Sequence, residues 1–497
     1  MPQPVPALAV TVRLSELLED SGTDMLRLTD LEITGITADS QSVEPGFLFA
    51  ALPGTKVDGR AFIDEAVKRG ASAVIAPDGT DLDRDDVQLI TDSNPRRLFA
   101  QLAAKYFVAQ PEIAVAVTGT NGKTSVAQFV RQIWQHAGHH AAALGTLGVV
   151  SDDLSTTGSL TTPDPVTLHK LLADLAERGV DHLALEASSH GLDQFRLDGV
   201  KISAAAFTNL SRDHLDYHGS MDAYLDAKVR LFSDVLIPGG VAVINADTPE
   251  CAKIKATCEA RGHSAITYGY AGDAICLVSA TATAHGQDLN LLLHGKIENV
   301  VLPLAGSFQA MNALCAAGLA LATGVTTDKV ISAMSQLVGV PGRLEHVGST
   351  KSGASVFVDY AHTPTALTTA LNALRPHTQN KLNVVFGAGG DRDTGKRPLM
   401  GHAAQEAADI AYVTDDNPRS EDPTLIRAAI LAECQEATEI GDRADAIESA
   451  ILALEPGDTL LIAGKGHETG QIVGDTVLPF DDREVARAVI KKQGGAS

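Results

Sequence analysis

The 497-residue sequence has few of the features that mark exported, membrane-spanning or disulfide-linked proteins. Its cysteines are few, odd in number and without metal-ligand spacing, a pattern typical of reduced thiols in a cytosol. They are Cys251, Cys258, Cys276, Cys315 and Cys434. No apolar run approaches the ~20 residues that a membrane helix needs. The first basic residue is Arg13, so no export signal is predicted. We expect an unexported, cytoplasmic protein without a membrane partner.

Positive charge is also scarce, because 39 lysines and arginines face 62 aspartates and glutamates, for a net charge of −23. Such a protein repels nucleic-acid backbones and anionic membranes, which argues against nucleic acid as a partner. Any phosphate site must therefore be built locally, from a few concentrated basic residues and backbone N–H groups.

The length suffices for roughly three domains at the usual ~150 residues each, and an apolar content of 44% excludes a largely disordered chain. Short apolar runs and turn-rich insertions predict a small α/β domain over residues 1–110. Beyond it, strands, polar loops and amphipathic helices alternate, which is typical of a mainly parallel sheet. We predict an α/β protein with a central domain over 111–343 and a Rossmann-like α/β domain over 344–497.

A phosphate-binding loop is predicted after the strand Ile113 to Val117, where TGTNGKTS leads into a helix. Backbone N–H groups there would cradle an oxyanion, Lys123 would reach the terminal phosphates, and the Thr124 hydroxyl would ligate Mg²⁺. An ordinary glycine turn explains the glycines but not this Lys-Thr pair. The helix is predicted to bury one face, formed by Val126, Phe129, Val130, Ile133 and Trp134.

Polar side chains follow two further predicted strands of the central domain. Glu186 follows the strand that begins at His182, and His214 lies in the loop after Phe207. A carboxylate and an imidazole at neighbouring strand ends could bind a divalent ion beside the phosphates. Taken alone, each residue has the simpler interpretation of a loop polar group, and Mg²⁺ prefers oxygen to imidazole. Lys228, in the helical pattern AYLDAKVRLF, is by default expected to be solvated.

The last 150 residues repeat strand, loop and helix four times, and the loops are rich in charge. Their basic residues are Arg392, Lys396, Arg397, Arg419 and Lys465. Arginine pairs bidentately with carboxylates, whereas Asp416, Asn417 and Glu468 suit an ammonium group. A surface salt bridge contributing ~1 kcal/mol or less explains any one of them. Three such loops together predict a pocket that holds both ends of a zwitterionic amino acid.

In order along the chain, these motifs resemble those of the Mur ligases, ATP-dependent enzymes that build the peptide stem of bacterial cell-wall precursors. The resemblance covers all three predicted domains through GTNGKT, EASSHGL, NLSRDHLDYHG, DYAHTP, GGDRDTGKRP, DNPR and GKGHE. It implies an N-terminal UDP-binding domain, a central P-loop ATPase domain and a C-terminal amino-acid-binding domain. DNPR resembles the signature of members that add meso-2,6-diaminopimelate, rather than L-lysine, to UDP-N-acetylmuramoyl-L-alanyl-D-glutamate through an acyl phosphate.

The resemblance also implies a role for each matched position. The ATP site would comprise Gly119, Thr120, Asn121, Gly122, Lys123, Thr124, Ser125, Asn312, Arg343 and Asp359. The UDP precursor would be held by Ser40, Thr55, Lys56, Val57, Thr161, Thr162, Ser188, Gln194 and Arg196. Diaminopimelate would be bound by Arg392, Asp416, Asn417, Pro418, Arg419, Gly464 and Glu468.

The implied cofactor is Mg²⁺, as two ions. Its implied ligands are Thr124, Glu186, His214 and Lys228, the lysine as a carbamate formed from CO₂. A carbamate is an oxygen-rich anion that can bind Mg²⁺, which an ammonium group cannot. The implied catalytic residues are Lys123, Glu186, His214 and Lys228. We expect a monomer whose C-terminal domain closes about a hinge near Arg343. No residue identifies itself as the base for the attacking amine.

Three alternatives remain open from the sequence. A lysine-adding ligase would differ only in the amino acid that it accepts. A ligase like folylpolyglutamate synthetase would use a similar ATP loop but would not need DNPR or the N-terminal domain. A protein that senses the precursor without forming a bond would lose only ATP affinity when Lys123 is replaced by alanine.

Overall fold

The computed structural model describes residues 11–19, 21, 29–54, 57–152, 154–156, 160–283 and 286–496. The chain forms two compact units, each described here by itself. Unit 1 contains the residues up to Ile266 and Ala322–Gly324, and unit 2 contains Thr267–Leu321 and the residues from Val325 onward. The three-domain boundaries at residues 110 and 343 stay a prediction. None of the described helices combines the length and the apolar character needed to cross a membrane.

The N-terminal part of unit 1 is a small α/β layer. Its elements are β1 (Val12–Arg13), α1 (Leu14–Leu18), β2 (Glu32–Ile33), β3 (Gly35–Thr37), β4 (Phe47–Ala50), α2 (Ile63–Lys68), β5 (Ala73–Pro77), β6 (Gln88–Asp92) and α3 (Pro95–Phe107). Strands β3 to β6 form a parallel sheet in sequence order. Helix α3 begins where Asn94 accepts a hydrogen bond from the Arg97 amide and Pro95 occupies the first turn. Its apolar face covers this sheet.

The central part of unit 1 contains the longest parallel sheet. Its elements are β7 (Ile113–Thr118), α4 (Lys123–Ala137), β8 (Ala141–Gly145), β9 (Gly148–Val150), β10 (Ser155–Thr156), α5 (Pro165–Glu177), β11 (His182–Glu186), α6 (Ser189–Asp193), β12 (Ile202–Phe207), α7 (Leu215–His218), α8 (Met221–Arg230), β13 (Leu236–Asn245), α9 (Cys251–Ala260) and β14 (Ser264–Gly269). Within unit 1 the strand order is β10-β9-β8-β11-β7-β12-β13, parallel from β8 to β13. The carboxyl ends of β11, β7 and β12 therefore lie side by side.

The predicted strand and helix around the phosphate loop are confirmed. Strand β7 is fully buried beyond Ile113, as expected for a central parallel strand with helices on both faces. All five residues predicted to form the buried face of α4 are buried, including Trp134. The Trp134 indole donates a hydrogen bond to the Thr323 hydroxyl at 3.0 Å.

Unit 2 begins with a segment that was predicted to belong to the mainly parallel central domain over residues 111–343. Its elements are β15 (Ile275–Thr283), β16 (Gly286–Leu293), β17 (Lys296–Leu302), α10 (Ser307–Ala322) and α11 (Thr327–Met334). Strands β15, β16 and β17 are antiparallel neighbours. The alternation of buried and exposed residues in β16 is typical of a half-buried antiparallel strand and was not recognised in the sequence.

The rest of unit 2 has the strand, loop and helix repeats that the sequence predicted. The elements are β18 (Glu345–Ser349), β19 (Ser355–Asp359), α12 (Pro364–Leu374), β20 (Leu382–Phe386), α13 (Lys396–Ala407), β21 (Ile410–Val413), α14 (Pro423–Leu431), β22 (Thr438–Glu439), α15 (Arg443–Leu452), β23 (Thr459–Ala463), β24 (Gly470–Val473), β25 (Thr476–Pro479) and α16 (Asp482–Lys492). The sheet order is β18-β19-β23-β20-β21-β22, and only β18 is antiparallel to its neighbour. Four motif-bearing loops leave adjacent strand ends, as parallel sheets require of a binding crevice.

Candidate active site

The predicted phosphate loop connects β7 to the start of α4. Gly122 adopts φ +88°, a left-handed conformation that favours glycine, and α4 begins at the next residue. A Cβ atom on Gly119 would overlap the Thr208 side chain at the end of β12, so the loop lies against the neighbouring strand. The Lys123 ammonium donates hydrogen bonds to the carbonyl oxygens of Gly119 and Thr120, each at 2.9 Å. The residues fit an oxyanion cradle at a helix N-terminus.

Three polar groups converge on the buried Glu186 carboxylate. The Thr124 hydroxyl donates to Oε2 at 3.0 Å, and the Thr146 amide donates to Oε1 at 2.8 Å. The Thr146 hydroxyl also donates to Oε2, at 3.2 Å. Burial raises the pKa of Glu186, against the opposing effects of the Lys123 charge and these hydrogen bonds. Thr124 and Glu186 thus present oxygen atoms of the type that Mg²⁺ prefers.

Lys228 is buried, which corrects the default expectation of a solvated helix residue. Only 1% of it is exposed, and its ammonium donates to the Gly119 carbonyl at 2.8 Å. The same nitrogen lies 4.3 Å from the centre of the Tyr224 ring. Burial lowers the pKa of Lys228 to about 6, and the Lys123 charge acts in the same direction while Asp213 opposes it. A neutral amine is the form that reacts with CO₂, so the site suits carbamate formation.

His214 lies on the same side of the site but is more exposed. Its φ of +52° is rare for a residue with a side chain, and such strain concentrates at functional sites. Its ring packs edge-on against His190 at 4.9 Å and lies 6.2 Å from the Tyr224 ring. The Tyr224 hydroxyl lies 3.2 Å from the Thr120 hydroxyl, so this tyrosine connects His214, Lys228 and the loop.

The central residues expected to hold the precursor form one hydrogen-bonded chain. The Arg196 guanidinium donates to the Thr162 carbonyl and to the Gln194 side-chain oxygen, both at 2.7 Å. The Ser188 amide and hydroxyl donate to the Thr162 hydroxyl at 3.0 and 3.1 Å. Thr161 meets Thr146 through their hydroxyls at 3.1 Å, which joins this chain to the Glu186 site.

The N-terminal candidates are only partly described. The Ser40 hydroxyl donates to the Glu65 carboxylate at 3.0 Å, and Val57 is exposed. Thr55 and Lys56 lie outside the described residues. In the phosphate loop, the backbone amide of Asn121 donates a hydrogen bond to the Asn209 side-chain oxygen, two residues after the end of β12, at 3.0 Å. Ser125 is buried in the first turn of α4.

In unit 2, the three residues expected to contact the nucleotide lie close together. The Asn312 side-chain amide donates to the Gln309 side-chain oxygen at 3.1 Å, and Gln309 in turn donates to the Arg343 carbonyl at 3.2 Å. Asp359 accepts hydrogen bonds from the amides of Leu344 and Ala361. Burial raises the pKa of Asp359, although the Arg343 charge opposes this effect. The Arg343 guanidinium stacks on the Tyr360 ring at 4.7 Å.

The residues expected to bind diaminopimelate also come together. The buried Asn417 amide group donates to Glu468 at 3.1 Å, while its oxygen accepts from the Ile472 amide at 2.9 Å. Arg419, at φ +51°, donates to the Gly390 carbonyl at 2.8 Å. A Cβ atom on Gly464 would lie 2.6 Å from the Asp416 carboxylate. Pro418 follows Asn417 in the same loop, and Arg392 is exposed near Gly389.

Lys465 was predicted from the sequence as one of the basic residues of this pocket, whereas Arg443 and Asp482 were not predicted. Lys465 has no exposed surface, and its ammonium donates to Asn417 at 3.0 Å and to Glu468 at 3.2 Å. Arg443 and Asp482 form a fully buried bidentate pair at 2.7 Å, and Arg443 also donates to the Ala463 carbonyl. The GKGHE loop identified Lys465 in the sequence, whereas no spacing relates Arg443 to Asp482.

Comparison with known proteins agrees with this geometry. Three family models match: "Mur ligase family, catalytic domain" at residues 32–107, "Mur ligase middle domain" at 117–320 and "Mur ligase, glutamate ligase domain" at 342–466. A Bradyrhizobium diazoefficiens protein named UDP-N-acetylmuramoyl-L-alanyl-D-glutamate–2,6-diaminopimelate ligase is 53% identical over 96% of this chain and 99% of its own. A Caulobacter vibrioides protein of that name is 54% identical over 91% of this chain and 94% of its own.

A solved structure of an enzyme with the same name has a similar fold. It is 34% identical, covers 98% of this chain and 100% of its own, and superposes with a TM-score of 0.77. The α/β architecture with mainly parallel central and C-terminal sheets is therefore the fold of that enzyme. The family models cover most of the sequence, and the relatives match it at more than 50% identity over nearly its whole length, so the chain belongs to the Mur ligase family.

Proposed function

We propose that this protein is an ATP-dependent ligase that joins meso-2,6-diaminopimelate to UDP-N-acetylmuramoyl-L-alanyl-D-glutamate, with release of ADP and phosphate. One observation carries the proposal: the chain combines a phosphate loop beside a buried carboxylate and lysine with a C-terminal cluster of fixed charges of both signs. The names of the relatives that are 53% and 54% identical support the same reaction.

The first step activates the substrate's carboxyl group. The D-glutamate γ-carboxylate attacks the γ-phosphorus of ATP, the bond to the bridging oxygen of ADP breaks, and an acyl phosphate forms. The main obstacle is repulsion between two anions. Lys123 and the N–H groups at the start of α4 offset this repulsion by holding positive charge in place before the reaction.

The donor set beside the loop fits magnesium. The oxygens of Thr124 and Glu186, the imidazole of His214 and a carbamate on Lys228 would hold two Mg²⁺ ions. Bound there, the metal would neutralise phosphate charge. Lys228 contributes by losing its proton easily, since burial lowers its pKa to about 6. With its nitrogen at the Gly119 carbonyl, the amine is held against the loop.

The second step forms the amide bond. The diaminopimelate amine attacks the acyl carbon, phosphate leaves, and the amine loses its proton. Glu468, fixed by Lys465 and Asn417, suits an ammonium group of the amino acid. Arg392 and Arg419 suit its carboxylates.

This reaction requires Lys123 and Arg419 to serve one reaction centre. We therefore propose that residues 344–497 close against the central domain about a hinge near Arg343. Small-angle scattering tests the closure. The profile should contract when an ATP analogue and the dipeptide precursor are added together, and identical profiles would contradict it.

We further propose that the enzyme acts as a monomer in the cytoplasm. All five cysteines are free thiols, which suits a reducing compartment. The residues proposed for each substrate come from a single chain. Light scattering at working concentration tests the oligomeric state.

Phosphate release tests the function directly. Purified protein is supplied with ATP, Mg²⁺ and the UDP-linked dipeptide, and then with meso-diaminopimelate or L-lysine in turn. We expect release only with the complete mixture and at least a 100-fold preference for diaminopimelate. A preference for lysine would favour the lysine-adding alternative. Precursor binding without release under any mixture would favour the sensing alternative.

A further inference from the structure

Two arginines of unit 1, Arg96 and Arg196, are half-buried and form no ion pair with a carboxylate among the residues that the structure describes. Arg196 donates only to uncharged oxygens, the Thr162 carbonyl and the Gln194 amide oxygen. Arg96 donates to the carbonyl of Pro53 at 2.5 Å. Both guanidinium groups are thus anchored to neutral acceptors, which leaves their charge for another partner.

This arrangement is unusual for this chain, whose acidic residues outnumber its basic residues by 23. Arg97, the next residue on α3, pairs with Asp198 at 3.3 Å, and Arg230 pairs with the same aspartate at 2.7 Å. Arg96 and Arg196 are also close enough to affect each other. Burial lowers the pKa of Arg196, Asp164 opposes that shift, and the Arg96 charge adds to it. Two like charges near one another, neither of them ion-paired among the described residues, indicate a site for an anion.

The position of Arg96 indicates which anion. Arg96 lies in the first turn of α3 and contacts Pro53. The loop that follows Pro53 closes where the Gly54 amide donates to the carbonyl of Val57, one of the residues predicted to hold the UDP precursor, at 3.1 Å. Arg196 belongs to the hydrogen-bonded chain with Thr162 and Ser188, which is expected to hold the muramoyl dipeptide. In a UDP-linked sugar the diphosphate joins the nucleoside to the sugar. Arg96 contacts the loop that leads to Val57 and lies near Arg196, and the diphosphate is the anionic group that joins the two ends of the precursor.

We propose that Arg96 is a further binding residue for the UDP precursor, which contacts its diphosphate and acts together with Arg196. The inference rests on the proposed function for the identity of the ligand. Guanidinium groups bind phosphate oxygens through short, charge-assisted hydrogen bonds with a planar geometry that lysine lacks. Arg96 would also fix the Pro53 loop while it binds.

The test compares Arg96→Ala with Arg97→Ala on the same turn of helix α3. We expect Arg96→Ala to raise KM for the UDP-linked dipeptide about 10- to 100-fold, as expected for loss of a hydrogen bond between charged groups. The kcat and the KM values for ATP and diaminopimelate should change less than about 3-fold, since these substrates do not touch Arg96. Arg97→Ala should leave all four constants nearly unchanged, because Arg230 still pairs with Asp198.

Two more variants separate charge from loop support. Arg96→Gln can still donate a hydrogen bond to Pro53 but carries no charge, and Arg96→Lys keeps the charge. If the diphosphate is the ligand, Arg96→Gln should raise KM for the UDP-linked dipeptide as much as Arg96→Ala does. Arg96→Lys should recover part of the affinity. If Arg96→Gln has the wild-type KM, Arg96 only supports the Pro53 loop and the proposal is wrong.

Direct binding makes the result independent of turnover. Calorimetry with UDP and with uridine should show that wild-type protein prefers UDP and that Arg96→Ala loses most of this preference. Equal preference in both proteins would overturn the inference even if KM rises. If wild-type protein binds UDP through Arg96 but forms no product with any amino acid, the proposed function fails while the assignment of Arg96 stands.

Discussion

The nucleotide-loop cluster (Thr120, Lys123, Thr124, Glu186 and Lys228) and the C-terminal cluster (Asp416, Asn417, Arg419, Lys465 and Glu468) hold their buried lysines in opposite ways. Lys228 donates to a backbone carbonyl and forms no ion pair among the described residues. Lys465, equally buried, donates to the Glu468 carboxylate and to the Asn417 oxygen. One lysine is held by a neutral carbonyl oxygen, and the other is paired with a carboxylate before any ligand binds.

The difference matches what each cluster is proposed to bind. A triphosphate brings its own negative charge, so the loop can present Lys123, which donates to two carbonyl oxygens, to a ligand that supplies the anion. A zwitterionic amino acid brings both signs, so its pocket must hold a cation and an anion apart at fixed positions. The lysines differ chemically as well. Burial lowers the pKa of Lys228 to about 6, so its amine is easily deprotonated.

Lys123→Ala should have the largest effect. Removing the cation that faces the terminal phosphates should lower kcat/KM by about 1,000-fold or more, in line with other groups that stabilise charge in a transition state. The rate of phosphate release at several substrate concentrations measures kcat/KM. The control is Lys170→Ala on the exposed face of α5, which should change nothing. If Lys123→Ala retained product formation, the loop would not be the catalytic centre.

Lys228→Met and Lys465→Met test the comparison directly by changing stability in opposite directions. With CO₂ and metal removed, folding at pH 7.5 costs roughly 4 kcal/mol at Lys228, because the folded amine, with a pKa of about 6, is neutral while the unfolded amine, with a pKa of 10.5, must lose a proton roughly three units below its own pKa. Losing the Gly119 hydrogen bond takes back part of that gain. We therefore expect Lys228→Met to be about 2–3 kcal/mol more stable but inactive. Lys465→Met should be about 2 kcal/mol less stable, since Glu468 and Asn417 lose a partner.

The pH dependence follows with a definite sign. Between pH 6 and 10.5 the unfolded chain binds a proton at Lys228 that the folded chain does not bind, so wild-type stability rises with pH across this window. The advantage of Lys228→Met should shrink as the pH is raised from 7 to 9. Urea unfolding at several pH values measures this. A constant or growing difference would mean that Lys228 is charged in the folded protein.

Arg419→Ala should weaken only the binding of the amino-acid substrate. We expect KM for diaminopimelate to rise about 30-fold, as for loss of a charged hydrogen-bond partner, while KM for ATP stays constant. Arg375→Ala, which breaks an exposed pair with Asp409, is the control and should have no effect on either constant. A comparable rise in KM for ATP would show that the two clusters do not divide their ligands as proposed.

Gly464→Ala should have the smallest effect. Gly464 has φ +120°, and a methyl group there would lie 2.6 Å from the Asp416 carboxylate. We expect a loss of about 2 kcal/mol in unfolding free energy and a several-fold higher KM for diaminopimelate. Gly474→Ala is the matched control, because Gly474 also has positive φ but no neighbour within 4 Å of the added atom. It should cost about 1 kcal/mol and leave KM unchanged.

The sequence was informative where local patterns determine structure. The Lys-Thr pair after two glycines predicted where α4 begins, and the spacing of Val126, Phe129 and Trp134 predicted its buried face. The four C-terminal strands were also predicted, since each is a short apolar run that ends in a polar loop. In these cases the residues that form the element are adjacent in the chain.

Features that depend on distant residues were not predicted. Lys228 looks like a surface residue because α8 is locally polar, and only the approach of Gly119, more than a hundred residues earlier, buries it. The proposed role of Arg96 depends on its forming no ion pair among the residues that the structure describes, which no local pattern encodes. The antiparallel β15 to β17 were missed because short apolar runs do not reveal the direction of their pairing.

The close approach of Gly119 to Thr208 limits how this protein can be redesigned. A methyl group at position 119 would occupy the space of the Thr208 hydroxyl, which itself donates to the Asn121 carbonyl at 2.6 Å and helps to shape the loop. In a library that varies only position 119, we therefore expect no amino acid other than glycine to be accepted. Other residues at position 119 require a second substitution that replaces Thr208 with a smaller residue. Such double variants lose the Thr208 hydroxyl that supports the loop.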